Sequence, residues 1–131
     1  MSVAAIIPAY NEAKTIGTII RTLREVLVIG DIIVVSDGST DDTLSVARTA
    51  GATRVVVLSE NKGKGEAMHR GAAETRADIL FFCDADLQGL TREHVQAIIA
   101  PVLEGRAAMC VGLRDRAGIP EFVTHIDPLL A

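Results

Sequence analysis

The sequence predicts an α/β protein built on a doubly wound, mostly parallel sheet. Three observations carry that prediction. Short, nearly continuous apolar runs recur at residues 3–7, 31–36, 53–59, 77–83 and 107–113. Such runs suit parallel strands covered on both faces. Between them lie segments with apolar residues at helical spacing, so strand and helix alternate, and right-handed crossovers then wind both faces of one sheet. Polar clusters also follow the first four runs, on the rim where open α/β sheets bind ligands.

The elements follow in order. The first strand, residues 3–7, is expected to stop at Pro8, which has no N–H for a ladder. Asn11 offers a helix N-cap, and Glu12 falls in the first turn, where the helix dipole favours an acid. Ile16, Ile19, Ile20, Leu23, Val26 and Leu27 carry the helix to Val28, and Gly30 is expected to end it. The second strand, 31–36, runs into a turn at Asp37, Gly38, Ser39 and Thr40. Thr40 or Asp41 caps the next helix, and Gly51 stops it in the position glycine favours after a helix. The third strand is 53–59, followed by a loop at 61–65 and a helix over 66–76. The fourth strand is 77–83. Thr91 caps a fourth helix carrying Val95, Ile98, Ile99, Val102 and Leu103, and 107–113 is a fifth strand. Residues 114–131 hold two prolines and show no clear period.

The totals set bounds. A chain of 131 residues has the size of one domain, so a single domain over 1–131 is expected. Hydrophobic residues are 49% and aromatics only 3%, so the core must be aliphatic. No apolar run approaches the ~20 residues of a membrane span. The N-terminus enters an apparent strand rather than a signal peptide, so a soluble, cytoplasmic protein is expected. A net charge of −4 argues against a nucleic-acid partner, although local basic clusters suit a small anion. Cys83 and Cys110 each lie within an apolar run and read as buried free thiols, with no spacing that suggests zinc. His69 and His94 read as helix-surface residues, and no Ser-His-Asp or Cys-His arrangement assembles.

The rim carries the chemistry. Asp84 and Asp86 flank Ala85 at the end of the fourth strand, where two acids one residue apart can face a single cation. Oxygen-only ligation suits Mg²⁺ or Mn²⁺, and the Gln88 carbonyl offers a third ligand; the alternative is a solvated acidic turn. In Asn61, Lys62, Gly63, Lys64 and Gly65, glycines admit a ligand close to the backbone and lysines supply charge for phosphate. The helix that follows would aim its N-terminal amides at the same rim. This is neither a Walker A loop nor the dinucleotide fingerprint, since Met68 stands where a third glycine would be. Asp37 suits an Asx-type turn and equally a carboxylate accepting from a base N–H or a ribose hydroxyl. Tyr10 suits packing against a nucleobase or simple cover of the rim.

Together, IIPAYNE at the end of the first strand, VVSDGSTDDT at the end of the second, NKGKGEAMHRGAA in the third loop and helix and DADLQ at the end of the fourth strand resemble family 2 glycosyltransferases of the GT-A fold. Dolichol-phosphate mannosyltransferases and glucosyl-3-phosphoglycerate synthase-like enzymes are the nearest look-alikes, and the resemblance spans residues 2–114. It implies a Rossmann-like nucleotide-sugar-binding half, a GDP- or UDP-linked sugar as donor, and Mg²⁺ or Mn²⁺. By position, Pro8, Ala9, Tyr10 and Glu12 would hold the base and ribose, with Val35 and Asp37 lining the base pocket. Lys64 would meet the pyrophosphate. Asp84, Ala85 and Asp86 would form the family's Asp-x-Asp motif, with Asp84 toward ribose or metal, Asp86 the principal metal ligand and Gln88 behind it. Gly112, Leu113 and Arg114 resemble the family's Gly-x-Arg, making Arg114 a phosphate or sugar contact.

The chain departs from the family at Ser36, where an aspartate often stands. Family catalytic domains usually continue into an acceptor part that this sequence does not match, and neither Glu121 nor Asp127 fits a general-base motif. The resemblance implies transfer of a sugar to a polyprenyl phosphate or a small hydroxyl compound. Homo-oligomerisation and a peripheral contact at the inner face of a membrane are further expectations. The competing class is a non-catalytic nucleotide-sugar-binding module, or a fragment completed by a partner chain. A nucleotidyltransferase would want a glycine-rich loop after the first strand, which PAYNE is not.

Overall fold

The computed structural model describes residues 1–114 and 120–126. The chain divides into two compact units, Met1–Gln88 and Gly89–Ala131. The first unit holds β1 (Val3–Ala9), α1 (Ile16–Arg24), β2 (Ile29–Asp37), α2 (Thr43–Ala50), β3 (Arg54–Leu58), α3 (Lys64–Ala73) and β4 (Ile79–Phe82). The second holds α4 (Arg92–Leu103), β5 (Met109–Arg114) and β6 (Pro120–Ile126). No described helix is long and apolar enough to cross a membrane.

In the first unit the strands lie in the order β3-β2-β1-β4, and every neighbouring pair is parallel. The α/β class read from the apolar runs is therefore the fold observed. The connections step outward from β1 to β2 to β3, then return across β1 to β4. With right-handed crossovers, α1 and α2 cover one face and α3 the other. The reversal makes a crevice at the carboxyl ends of β1 and β4, where such sheets take ligands.

The core is aliphatic, as the composition requires. Ile6, Ile33, Val35 and Leu58 from the strands close around Ala67 of α3. Helix α1 turns Ile16, Ile19, Ile20 and Leu23 inward. Helix α3 lies so near the sheet that a Cβ added at Gly71 would stand 2.4 Å from Ile6 Cγ2.

Several boundaries differ from the sequence reading. Pro8 lies inside β1 rather than ending it. Ser2 and Ile6 offer their carbonyls to Ile79 and Cys83 on the β4 side, so Pro8, in the same phase, lacks its N–H where β1–β4 pairing has already ended. Helix α1 starts after Thr15 rather than Asn11, because turns over Glu12 precede it. It ends at Arg24, and further turns carry the chain to Ile29, so Gly30 belongs to β2. Helix α3 already begins at Lys64.

In the second unit, Thr91 caps α4 as expected, and His94 completes a reciprocal capping box by accepting from the Thr91 N–H. β5 pairs antiparallel with β6 and lies outside the parallel sheet. The sequence pointed instead to a fifth parallel strand and no sixth. A neighbour close in the chain needs only a short antiparallel connection, whereas a parallel one needs a long crossover.

Candidate functional site

A cleft of about 370 Å³ opens at the carboxyl end of the sheet. The end of β1 contributes Pro8 and Ala9, the segment after it Tyr10 and Glu12, and the end of β2 Asp37. The segment after β3 adds Asn61, Gly63, Lys64 and Ala67, and the segment after β4 adds Asp84, Ala85 and Asp86. The clusters the sequence placed on one rim thus line one cavity.

Local bonds hold the loops together. Asn11 adopts a positive φ of 53°, a region asparagine tolerates better than most residues. Its Oδ1 accepts from the backbone N–H of Thr40 at 2.8 Å and of Asp41 at 3.3 Å, and its own N–H donates to Ser39 Oγ at 3.1 Å. The Glu12 N–H donates to Thr43 Oγ1 at 3.0 Å. Asn11 therefore stitches the first loop to the second instead of capping a helix.

Asp37 is 5% exposed, and donors meet both its carboxylate oxygens. The Lys62 N–H donates to Oδ1 at 2.7 Å and the Gly63 N–H to Oδ2 at 2.9 Å. Gly38 makes this approach possible. Its φ is +78°, and a Cβ there would lie 2.8 Å from the Asn61 nitrogen. The carboxylate thus anchors the glycine-lysine loop, besides bordering the cleft.

That loop delivers Lys64 and the start of α3. The N-cap of α3 is Gly63, which has no side chain to satisfy the first-turn amides, so this helix end is open to an anion. Lys64 pairs with Asp84 across the cleft; the two side chains are 60% and 48% exposed. So exposed a pair contributes little to stability, but it shows that ammonium and carboxylate share one space.

At the end of β4 the side chains alternate. Asp84 and Asp86 are exposed, while Ala85 between them is buried. The Thr15 hydroxyl donates to the Ala85 carbonyl at 2.6 Å. Cys83 is buried behind the motif. Burial first, then the negative charges of Asp84 and Asp86, push its thiol up to about 12. It remains a neutral core thiol rather than a nucleophile.

Among the described residues, no group of three or more His, Cys, Asp or Glu could hold a metal ion. Asp84 and Asp86 supply two carboxylates to one cleft, leaving further positions for outside oxygens. That donor set fits Mg²⁺ or Mn²⁺, which are commonly held by one or two carboxylates together with substrate phosphates.

Two residues singled out in the sequence, Val35 and Gln88, lie outside the cleft lining. Val35 is fully buried and packs in the core cluster with Ile6 and Ala67, so it does not reach the cleft. Gln88 is exposed and outside the cleft lining. Arg114 ends β5 in the second unit, and its side chain lies outside the described residues, as does Asp127. Conversely, sequence reasoning missed Thr15. A threonine just before an apolar-periodic run is a start-of-helix signal that could have drawn attention to it.

Comparison with known proteins bears on the family and the fold. A family model described as glycosyl transferase family 2 matches residues 4–128. The chain is 40% identical over 98 residues to a 4,4'-diaponeurosporenoate glycosyltransferase of Staphylococcus aureus, covering 72% of this chain and 26% of that protein. It spans about a quarter of the length of the curated relatives it matches. Among solved structures it resembles glucosyl-3-phosphoglycerate synthase from Mycobacterium tuberculosis in complex with Mn²⁺, uridine-diphosphate-glucose and phosphoglyceric acid. The TM-score is 0.72 at 34% identity, over 79% of this chain and 40% of that one. The same synthase in complex with uridine-diphosphate aligns over 88% of this chain and 45% of that one, with a TM-score of 0.77 at 33% identity.

Proposed function

The chain belongs to glycosyl transferase family 2, and from that premise we propose that it forms the donor site of a glycosyltransferase. The donor is a nucleotide-diphosphate sugar bound with Mg²⁺ or Mn²⁺, and the sugar passes to an acceptor. One observation carries this reading: Asp84, Asp86, Lys64 and the N-terminus of α3 meet in a single cleft although they follow different strands. Two carboxylates facing a lysine and an open helix end suit a cation and a diphosphate bound together.

In this reading Asp84 and Asp86 hold the metal, which supplies Lewis-acid stabilisation of the departing diphosphate. Lys64 leaves Asp84 for the phosphate oxygens, and the first-turn amides of α3 face the same charge. Tyr10, Pro8, Ala9 and Glu12 line the same cleft; in this reading the first three give the base an apolar wall and Glu12 meets the ribose. Among donors, a uridine nucleotide has the better support, since the mycobacterial synthase structures contain uridine-diphosphate or its glucose derivative. A phosphate acceptor is already ionised and needs no protein base, whereas a hydroxyl acceptor would normally use one.

Calorimetric titration with UDP, GDP and their sugars, with and without Mn²⁺, tests the donor site. Metal-dependent nucleotide binding is expected, and nucleotide binding indifferent to Mn²⁺ would overturn the reading. Asp86→Ala is expected to abolish the Mn²⁺ dependence. Release of nucleotide diphosphate in the presence of candidate acceptors then separates a transferase from a binding module.

A further inference from the structure

Thr15 occupies the N-cap of α1, where a threonine hydroxyl ordinarily accepts from an amide of the first turn. Here it makes no such bond. Instead it donates to the carbonyl of Ala85 at 2.6 Å, joining residues 70 positions apart. The helix forgoes a local cap, and the hydroxyl is committed to the peptide lying between the two carboxylates of the cleft.

The backbone around Ala85 shows what this bond can do. Cys83 is tied back to β1 through its N–H on Ile6, but β4 itself ends at Phe82. Asp84, Ala85 and Asp86 therefore lie beyond the ladder. Ala85 is 4% exposed, with an exposed aspartate on each side. Fixing the middle carbonyl from the protein side sets the direction in which both neighbours project. A divalent cation with near-octahedral demands is sensitive to that spacing.

We propose that Thr15 is a positioning residue for the cation site: its hydroxyl holds the Ala85 peptide so that Asp84 and Asp86 address one divalent ion. The proposal rests on the reading of Asp84 and Asp86 as metal ligands given above. Thr15 itself touches neither metal nor substrate. It acts as a partner behind the ligands, and loss of such partners typically weakens metal binding about 10- to 100-fold.

The test titrates Mn²⁺ into the full chain at saturating UDP, following free Mn²⁺ by electron paramagnetic resonance. Thr15→Val keeps the shape and removes the hydroxyl; Thr15→Ser keeps the hydroxyl. Thr15→Val is expected to bind Mn²⁺ about tenfold more weakly, at the low end for such partners. Its UDP affinity in EDTA should match the parent, and Thr15→Ser should restore Mn²⁺ binding. Circular dichroism establishes that each variant is folded, and Thr15→Ala carries the same expectation should the valine not fit. Unchanged Mn²⁺ affinity in the hydroxyl-less variants overturns the proposal, as does failure of serine to restore it. An equal loss of metal-free UDP binding also overturns it, since that reports general loosening. If the parent chain takes up no Mn²⁺ with UDP, the donor-site reading falls and this proposal with it.

Discussion

A buried carboxylate must be met by donors, and Asp37 is met by two main-chain amides rather than by a cation. Asp37→Asn would turn an NH₂ group toward one of those amides and lose its bond. We expect a stability loss of roughly 1–3 kcal/mol in urea denaturation, the scale for an unsatisfied buried donor. Because the amides belong to Lys62 and Gly63, the variant should also bind nucleoside diphosphate more weakly. Undiminished stability would mean that the anchor contributes nothing. Asp41 presents a different case. Its carboxyl is held below the usual 3.8, chiefly by the Thr43 hydroxyl; desolvation opposes this, and the Thr43 and Ala13 amides assist the hydroxyl. A depressed folded value favours the folded state above the unfolded value and ceases to do so as pH falls through the folded one, so the window lies below 3.8. Thr43→Val should return the Asp41 midpoint toward 3.8 in an NMR titration.

At the scale of elements, the alternation of strand and helix was legible because burial on both sheet faces demands continuous apolar runs. Element ends were less so, for physical reasons that differ by site. Asn11 and Thr15 both carry cap-type side chains, and only the bonds of Asn11 to the next loop show that it serves tertiary structure. Lys64 and Gly65 read as loop because glycine interrupts helices, yet they form the first turn of α3. β6 was missed because its stretch has no apolar period and Pro120 at its start reads as a breaker. Helix α3 also supplies an opposed pair of substitutions. Alanine favours a helix over glycine by about 1 kcal/mol. At Gly65 a Cβ meets nothing within 4 Å, so Gly65→Ala should stabilise by up to about that amount. At Gly71 the Cβ would stand 2.4 Å from Ile6 Cγ2 and 3.1 Å from Val35 Cγ2, both on β-branched, fully buried side chains. Overpacking of that kind typically costs about 1–3 kcal/mol, so Gly71→Ala should destabilise despite its helix propensity. Thermal melts of the two variants should move in opposite directions.

At the scale of the molecule, the site was legible as a place before it was legible as chemistry. Topology alone sends every strand's carboxyl end to one rim, so the clusters after β1, β2, β3 and β4 had to meet. Side-chain direction within a strand end is a different matter. Val35 and Asp37 share a strand phase, but Val35 lies deep enough to face Gly71 while Asp37 has reached the rim. The same topology predicts how ligand and stability are linked. A site on one loop could survive partial unfolding, whereas this cleft draws on the ends of, or the segments after, all four parallel strands, and all its lining residues fall within Met1–Gln88. Loss of any one of these strands should therefore destroy it. Nucleotide with Mn²⁺ should stabilise this unit as a whole, by about 2.7 kcal/mol at a hundredfold excess over Kd. Differential scanning calorimetry with UDP and Mn²⁺ should show the midpoint rising with ligand concentration. EDTA or Asp86→Ala should abolish the metal-dependent part of the rise. A rise that survives both would place the binding energy in the base and ribose contacts rather than in the carboxylates at the end of β4.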